Sequence, residues 1–252
     1  MSTPASVKNE ASRTVACSHC NLKKLCLPKG LTQAETIQLE GAVEHARTFE
    51  PGEHLYEQGA PLRFLYIVKS GSAKSLITAA DGTEQIIGFH LPGELLGLDA
   101  LEHRRHTSSA IALDTTSVCA LSYEHFDQLC ANIPHLQHEV MMEAAKILAD
   151  DHELLLVMGQ KSAEERAAIF LLDVSARMKA RGFSGTEFNL CMPRSDLANY
   201  LGLAPATLSR ILARFEQEGV LNVNRRHIRI TSLPQLHASI SRCEHCDAVL
   251  ID

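Results

Sequence analysis

Tryptophan is absent from the 252 residues, and aromatic side chains make up only 5% of them. Apolar residues still account for 45%, which is enough to build the cores of two modest domains. No run reaches the roughly 18 consecutive apolar residues of a membrane span, and the first thirty residues carry no apolar signal segment. The expected compartment is therefore the reducing cytoplasm. There, the eight cysteines are expected to bind metal or respond to redox chemistry and not to form bridges. Internal repeats and low-complexity stretches are lacking, and no nucleophile–base pair or carboxylate constellation accompanies the thiols, which argues against an enzyme. An overall positive charge is missing too: the net charge is −6.

That acidity is unevenly spread. Residues 1–159 carry 12 basic and 20 acidic side chains, whereas residues 160–252 carry 12 and 10, so the halves stand at −8 and +2. Between Arg177 and Ile230 there are 9 basic side chains to 4 acidic ones. A local excess of that kind is the electrostatic footprint expected for phosphate, so the carboxy-terminal part is the candidate nucleic-acid binder.

Cys17, Cys20 and Cys26 fall in ten residues as C-x2-C-x5-C. Three soft thiolates so close together suit zinc or an iron–sulfur cluster, and the spacing alone does not choose between them. A fourth ligand has to come from elsewhere, with Cys119 and Cys130 the nearest candidates. Upstream, Met1–Ala16 is polar and reads as disordered. Downstream, Thr32 and Glu35 form a capping box that starts a helix. From Phe49 to about Ser122, turn signals such as Pro51-Gly52, Ser70-Gly71, Asp81-Gly82 and Pro92-Gly93 recur every ten residues or so. Such regular punctuation predicts a small antiparallel barrel or jelly roll, with Leu65–Val68 and Glu84–Phe89 as two of its strands.

Pro134 opens a segment free of proline and glycine as far as Met158. Its seam of Met141, Ala144, Leu148, Asp151, Leu155 and Met158 advances by 3, 4, 3, 4 and 3 residues. This stripe packs either on its own domain or on a second chain. Asp151 lies at a wet edge of the seam, or else it meets its own copy across a two-fold axis and holds a dimer near its dissociation threshold. Farther on, Met192–Leu212 has the form of a helix–turn–helix. Ser195 is expected to cap the first helix, Gly202 to make the turn and Pro205 to open the second helix. Leu208, Ile211, Leu212 and Phe215 fall on one buried face, which leaves Ala206, Thr207, Ser209 and Arg210 outside to read base edges. After Gly219, Val220–Val223 and Arg226–Ile230 are expected to pair as a wing that offers Arg225, Arg226 and Arg229 to phosphates.

The chain resembles the fumarate and nitrate reduction regulator (FNR) branch of the cyclic-AMP receptor protein superfamily from about Cys17 to about Ser232. The resemblance rests on the cysteine spacing followed by Leu27-Pro28, on Gly88-Phe89-His90-Leu91-Pro92-Gly93-Glu94-Leu95-Leu96-Gly97, on Thr116–Cys119, on Ala163-Glu164-Glu165-Arg166 and on Asn199–Leu203. It implies an α+β chain with a cysteine-rich cluster-binding arm over residues 1–30 and a cyclic-nucleotide-binding-like β-roll sensor domain over 31–133. A dimerisation helix over 134–160, a winged helix–turn–helix over 161–235 and a tail over 236–252 follow. It also implies a [4Fe-4S] cluster on Cys17, Cys20, Cys26 and Cys119, which selects Cys119 over Cys130.

The same resemblance implies a homodimer when cluster-loaded, with Leu148, Asp151 and Leu155 as the dimer switch. Its partners would be palindromic double-stranded DNA with TTGAT-like half-sites and RNA polymerase, with release from DNA when oxygen destroys the cluster. Two features stand apart. The family's recognition helix reads Glu-x-x-Ser-Arg, whereas here the Glu position is Ala206; and Cys243 and Cys246 make a second C-x2-C in the tail. A cyclic-nucleotide- or zinc-dependent regulator on the same fold is the alternative, with Arg104 or Arg105 to meet a nucleotide phosphate. Cys130 and Cys191 read as small buried apolar residues, and the 13 histidines show no ligand spacing.

Overall fold

A computed structural model describes residues 17–27 and 29–240; Met1–Ala16 and the Cys243/Cys246 pair lie outside the described residues. The cysteine segment is a string of turns that opens with a 3-10 turn at Cys17–His19. Helix α1 (Gln33–Ala42) begins with the anticipated capping box: Thr32 Oγ1 accepts from Glu35 N at 3.3 Å, and Glu35 Oε2 accepts from Thr32 N at 2.8 Å. Each end thereby satisfies an amide that the first helical turn leaves orphaned.

Eight strands follow: β1 (Val43–Phe49), β2 (His54–Tyr56), β3 (Phe64–Ser70), β4 (Ala73–Thr78), β5 (Glu84–His90), β6 (Leu95–Leu96), β7 (Ser109–Ala112) and β8 (Thr116–Ser122). They make two four-stranded sheets, in the orders β1-β8-β3-β6 and β2-β7-β4-β5. All of the pairings are antiparallel. This is the expected β-roll. Val68 of β3 and Val118 of β8 are buried between the two sheets, whereas Leu65 and Leu121 are buried on the opposite face of the first sheet, against Leu39, Phe126 and Leu136, because successive side chains of a strand point to opposite faces.

Helix α2 (Tyr123–Asn132) leads into α3 (Pro134–Gln160), which has Pro134 in its first turn, where the missing N–H costs no hydrogen bond. Leu136 and Val140 anchor the start of α3 in one cluster with Leu39, Phe126 and Ile133. Beyond that point the helix leaves the barrel. Met141, Leu148 and Leu155 are 64%, 56% and 70% exposed, so packing on its own domain is not what this stripe does. Met158 departs from the seam, because its Cε lies against Gly202, only 2.6 Å from where a β-carbon at that glycine would sit.

Ser162 caps α4 (Ala163–Ala180) with a second capping box through Glu165. Then come β9 (Glu187–Asn189), α5 (Arg194–Tyr200), α6 (Pro205–Gln217), β10 (Leu221–Asn224), β11 (His227–Ile230) and α7 (Leu233–Ala238). Gly202 takes φ +63 in the turn between α5 and α6, a left-handed value that glycine adopts without β-carbon strain. Leu208, Ile211, Leu212 and Phe215 are buried as the periodicity required. Ser195 does not cap α5. Pro193 occupies the cap position and the helix starts at Arg194, so Ser195 falls inside the first turn and its hydroxyl turns to Asp196. The wing is three-stranded, in the order β10-β11-β9. Among the described residues, no helix is long and apolar enough to cross a membrane.

Candidate metal centre and nucleic-acid interface

The turns of the cysteine segment fold back on the first sheet, so that Cys17, Cys20, Cys26 and Cys119 line one cavity. Cys119 comes from β8, in register with Ile67 of β3. Leu22, Leu39, Ile67 and Val68 supply apolar walls, and the empty volume, with its open mouth, is about 500 Å³. Cys130 is not part of the lining; it packs on the core beneath α2. Burial, then repulsion from Cys119, Glu40 and Cys20, pushes the Cys17 thiol up to about 11. Burial and the charges of Cys17, Cys20 and Cys119 push Cys26 upward as well. Burial also raises Cys119, against the opposing charge of Lys69.

Four soft donors on one apolar cavity therefore want a cationic group to deprotonate them. Among the described residues, no group of three or more His, Cys, Asp or Glu is arranged for a single metal ion. Four cysteine thiolates are the ligand set of an iron–sulfur cluster as well as of a structural zinc. The donor set fits an iron–sulfur cluster.

The arginines that a nucleotide phosphate would need are engaged within the protein. Arg105 Nη1 donates to Gly59 O at 2.7 Å, and the Arg104 guanidinium lies 3.8 Å over the Tyr123 ring. The next residue, His106, stacks on Tyr56 with ring centroids 3.8 Å apart, and its Nδ1 is 3.3 Å from Asp99 Oδ1.

On the carboxy-terminal domain, Ala206, Ser209 and Arg210 are exposed and Thr207 is half-buried on the first turns of α6. Arg225 and Arg226 form the tip of the wing. Arg225 has φ +56, an uncommon value for a side chain with a β-carbon and one that a two-residue hairpin turn demands. Arg226 Nη1 donates to Cys191 O, and Arg194 Nη2 donates to Arg225 O, both at 3.3 Å. Arg194 joins this basic edge and was not singled out by sequence; its position one residue after Pro193, at the start of α5, was the available signal. Arg166 was quoted only as part of a motif, yet it ties three carbonyls together: Met158 O at 2.7 Å, Lys161 O at 3.0 Å and Leu201 O at 3.2 Å. The end of α3 and the turn of the helix–turn–helix are held by one guanidinium.

Residues 46–133 match the family described as the cyclic nucleotide-binding domain, and residues 165–239 match the Crp-like helix-turn-helix domain. The transcriptional activator protein anr of Pseudomonas aeruginosa is 39% identical over 92% of this chain and 95% of its own length. The chain belongs to the FNR branch of the cyclic-AMP receptor protein superfamily. The fumarate and nitrate reduction regulatory protein of Vibrio cholerae, another FNR-branch protein, is likewise 39% identical, over 88% of this chain and 89% of its own. Among solved structures, FixK2 from Bradyrhizobium japonicum is 28% identical, with a TM-score of 0.74 over 79% of this chain and 98% of that one. The FNR-type chain thus shares β-roll, long helix and winged helix–turn–helix with its relatives.

The raised thiol of Cys17 has a measurable consequence in protein prepared without metal. A rise from 9.0 to about 11 lowers the thiolate fraction at pH 8 by about 100-fold, and the higher intrinsic nucleophilicity of the more basic thiolate returns part of that. Alkylation of Cys17 by iodoacetamide is expected to run roughly tenfold slower in the folded protein than in urea, as read by mass spectrometry.

Proposed function

We propose that this protein is an oxygen-responsive transcription activator whose DNA binding depends on a [4Fe-4S] cluster held by Cys17, Cys20, Cys26 and Cys119. The observation that carries the reading is the meeting of the C-x2-C-x5-C thiols with Cys119 around one cavity. Residues 1–30 serve as the cluster arm, 31–133 as the sensor domain, 134–160 as the dimerisation helix, 161–235 as the DNA-binding domain and 236–252 as the tail. The working form is a cytoplasmic homodimer on a palindromic promoter site, in contact with RNA polymerase and without enzymatic activity.

When bound, the cluster supplies an oxygen-labile link between the arm and the barrel. The chain's own residues make that link matter. Leu27 and Leu31 seat the arm in the core that also holds Leu136 and Val140 of α3. Gly30 lies so close to α3 that a β-carbon there would stand 3.1 Å from Glu139 Oε1. An ordered arm therefore bears directly on the helix whose exposed seam is to meet a second copy. Leu148 and Leu155 favour that meeting by removing apolar surface from water. Asp151 opposes it, since two carboxylates about 5 Å apart at an effective dielectric near 20 repel by about 3 kcal/mol. Once α3 is fixed, Arg166 carries its position to the turn before α6. Thr207, Ser209 and Arg210 then face base edges, while Arg225 and Arg226 face phosphates.

Four substitutions test the parts separately. Cys119→Ser is expected to abolish the broad absorbance near 400 nm and anaerobic DNA binding, while Cys130→Ser keeps both; a full chromophore in Cys119→Ser would remove that residue from the ligand set. Asp151→Ala is expected to strengthen the cluster-free dimer by roughly 1–3 kcal/mol, which sedimentation of the aerobic protein measures. At Ala206 the methyl group can touch a thymine methyl but cannot accept a hydrogen bond from cytosine N4. Selection from a randomised palindrome under anaerobic conditions is expected to recover the guanine read by Arg210, with discrimination at the neighbouring position weaker by about 1–3 kcal/mol. Ala206→Glu is expected to restore the TTGAT-type preference.

A further inference from the structure

The turn Leu91–Glu94 stands between the cysteine arm and the DNA-binding domain and touches both. On one side, Gly93 takes φ +95, and a β-carbon there would lie 2.9 Å from Leu25 Cβ, so the arm segment between Cys20 and Cys26 is seated directly on this glycine. Beneath it, Gly93 N donates to Val68 O at 2.8 Å and Val68 N donates to Glu94 O at 3.0 Å. Val68 is itself a wall of the thiol cavity.

On the other side, the Glu94 carboxylate points away from the arm and into α4. Arg177 Nη2 donates to Glu94 Oε2 at 2.8 Å and to Phe89 O at 2.6 Å. Arg181 Nη2 donates to Glu94 Oε1, and its Nε donates to Pro92 O at 2.9 Å. Glu94 also accepts from Leu91 N within its own turn at 3.1 Å, so the turn's shape and its carboxylate's aim are set together. Burial works to raise the Glu94 carboxyl, but Arg177 and then Arg181 outweigh it, and the net shift is downward. The neighbouring His90 is pushed by burial down to about 4, so it stays neutral and does not compete with Arg177 for the carboxylate.

We infer that Glu94 is a positioning residue for DNA binding, coupling the order of the cysteine arm to the docking of α4 within a single subunit, in parallel with the dimer helix. This rests on the cluster reading above. With the arm seated, Leu25 covers Gly93 and holds the turn against β3; two guanidinium groups then find their acceptors in fixed places. With the arm released, the turn loses that cover, and the charge-assisted bonds that dock α4 lose their preset geometry.

The test is amide hydrogen exchange on the full-length protein, loaded with cluster and cluster-free, at concentrations where sedimentation gives the same oligomer for both. In the wild-type protein, amides of residues 173–181 are expected to exchange about fivefold more slowly in the loaded form. In Glu94→Gln that ratio is expected to fall to about one, while the 400 nm chromophore and the dimer remain. If Glu94→Gln proves unfolded, Arg181→Gln carries the same expectation. Equal exchange of 173–181 in loaded and free wild-type protein overturns the inference, as does a variant that keeps the full difference. A protein that gains no chromophore defeats the cluster reading itself and this inference with it, so the two failures are told apart.

Discussion

The recognition helix is held in place by an apolar contact between two domains. Leu76, Ile86 and Phe89 of the barrel belong to the same buried cluster as Phe170 and Leu171 of α4 and the core of the helix–turn–helix, with Tyr200 packed against it. Phe89 lies 5.2 Å from the Tyr200 ring and 6.1 Å from Phe170, in tilted and edge-on geometries that aromatic pairs favour. β5 is an edge strand of its sheet, and its open hydrogen bonds are closed by Asn199 of α5. Asn199 Oδ1 accepts from Ile86 N at 2.7 Å, and Nδ2 donates to Glu84 O at 2.9 Å. An unpaired edge is a site for unwanted association, and here the DNA-binding domain covers it. Lys74 and Asp196 add an ion pair at 2.6 Å, half-shielded from solvent. The orientation of α6 is therefore a property of the whole subunit, set by the barrel through α5 and by α3 through Arg166.

Against that rigid body, the thiol cavity is a place where stability is given up. Buried, mutually repelling thiols resist ionisation. Hydrogen bonds within the arm's own turns include Cys20 N to Cys17 O and Cys26 N to Leu22 O. On the proposed reading, its order is set by how its three thiols and Cys119 of β8 are satisfied.

Much of this was legible in the sequence because it is local. The capping box at Thr32, the turns that punctuate the barrel, Gly202 and Pro205 at the turn of the helix–turn–helix and the 3-4 spacing of its buried face are each fixed within a few residues. The Cys17, Cys20 and Cys26 cluster is local too, but its fourth member is not. Spacing could not separate Cys119 from Cys130; the pairing of β8 with β3 does, since it turns Cys119 to the cavity and leaves Cys130 on α2 beyond it. Ser195 failed as a cap because Pro193, which cannot donate an amide hydrogen, already fits the extended cap position. The contact of Arg177 and Arg181 with Glu94 joins residues more than eighty apart and has no periodic signature. Pro92-Gly93-Glu94 announced a turn and said nothing of what the turn would hold.

On the proposed reading, the seam of α3 needs only a small signal. Met141, Leu148 and Leu155 stay largely in water in the single chain, and burying such side chains fully is worth about 1.5–3 kcal/mol each. Association costs at least about 4 kcal/mol in lost rigid-body freedom, and Asp151 sits at an exposed position between Leu148 and Leu155, where a facing copy adds repulsion of about 3 kcal/mol. Counted over six side chains, three from each copy, the gain is on the order of 10 kcal/mol, the same size as the costs. A helix with leucine at position 151 would pair regardless of its surroundings, and one without the apolar stripe would never pair. On the proposed reading, an aspartate in the stripe passes the balance to what touches α3 at its start, where Gly30, the last residue of the cysteine arm, lies against Glu139 beside the contacts of Leu39, Phe126 and Ile133.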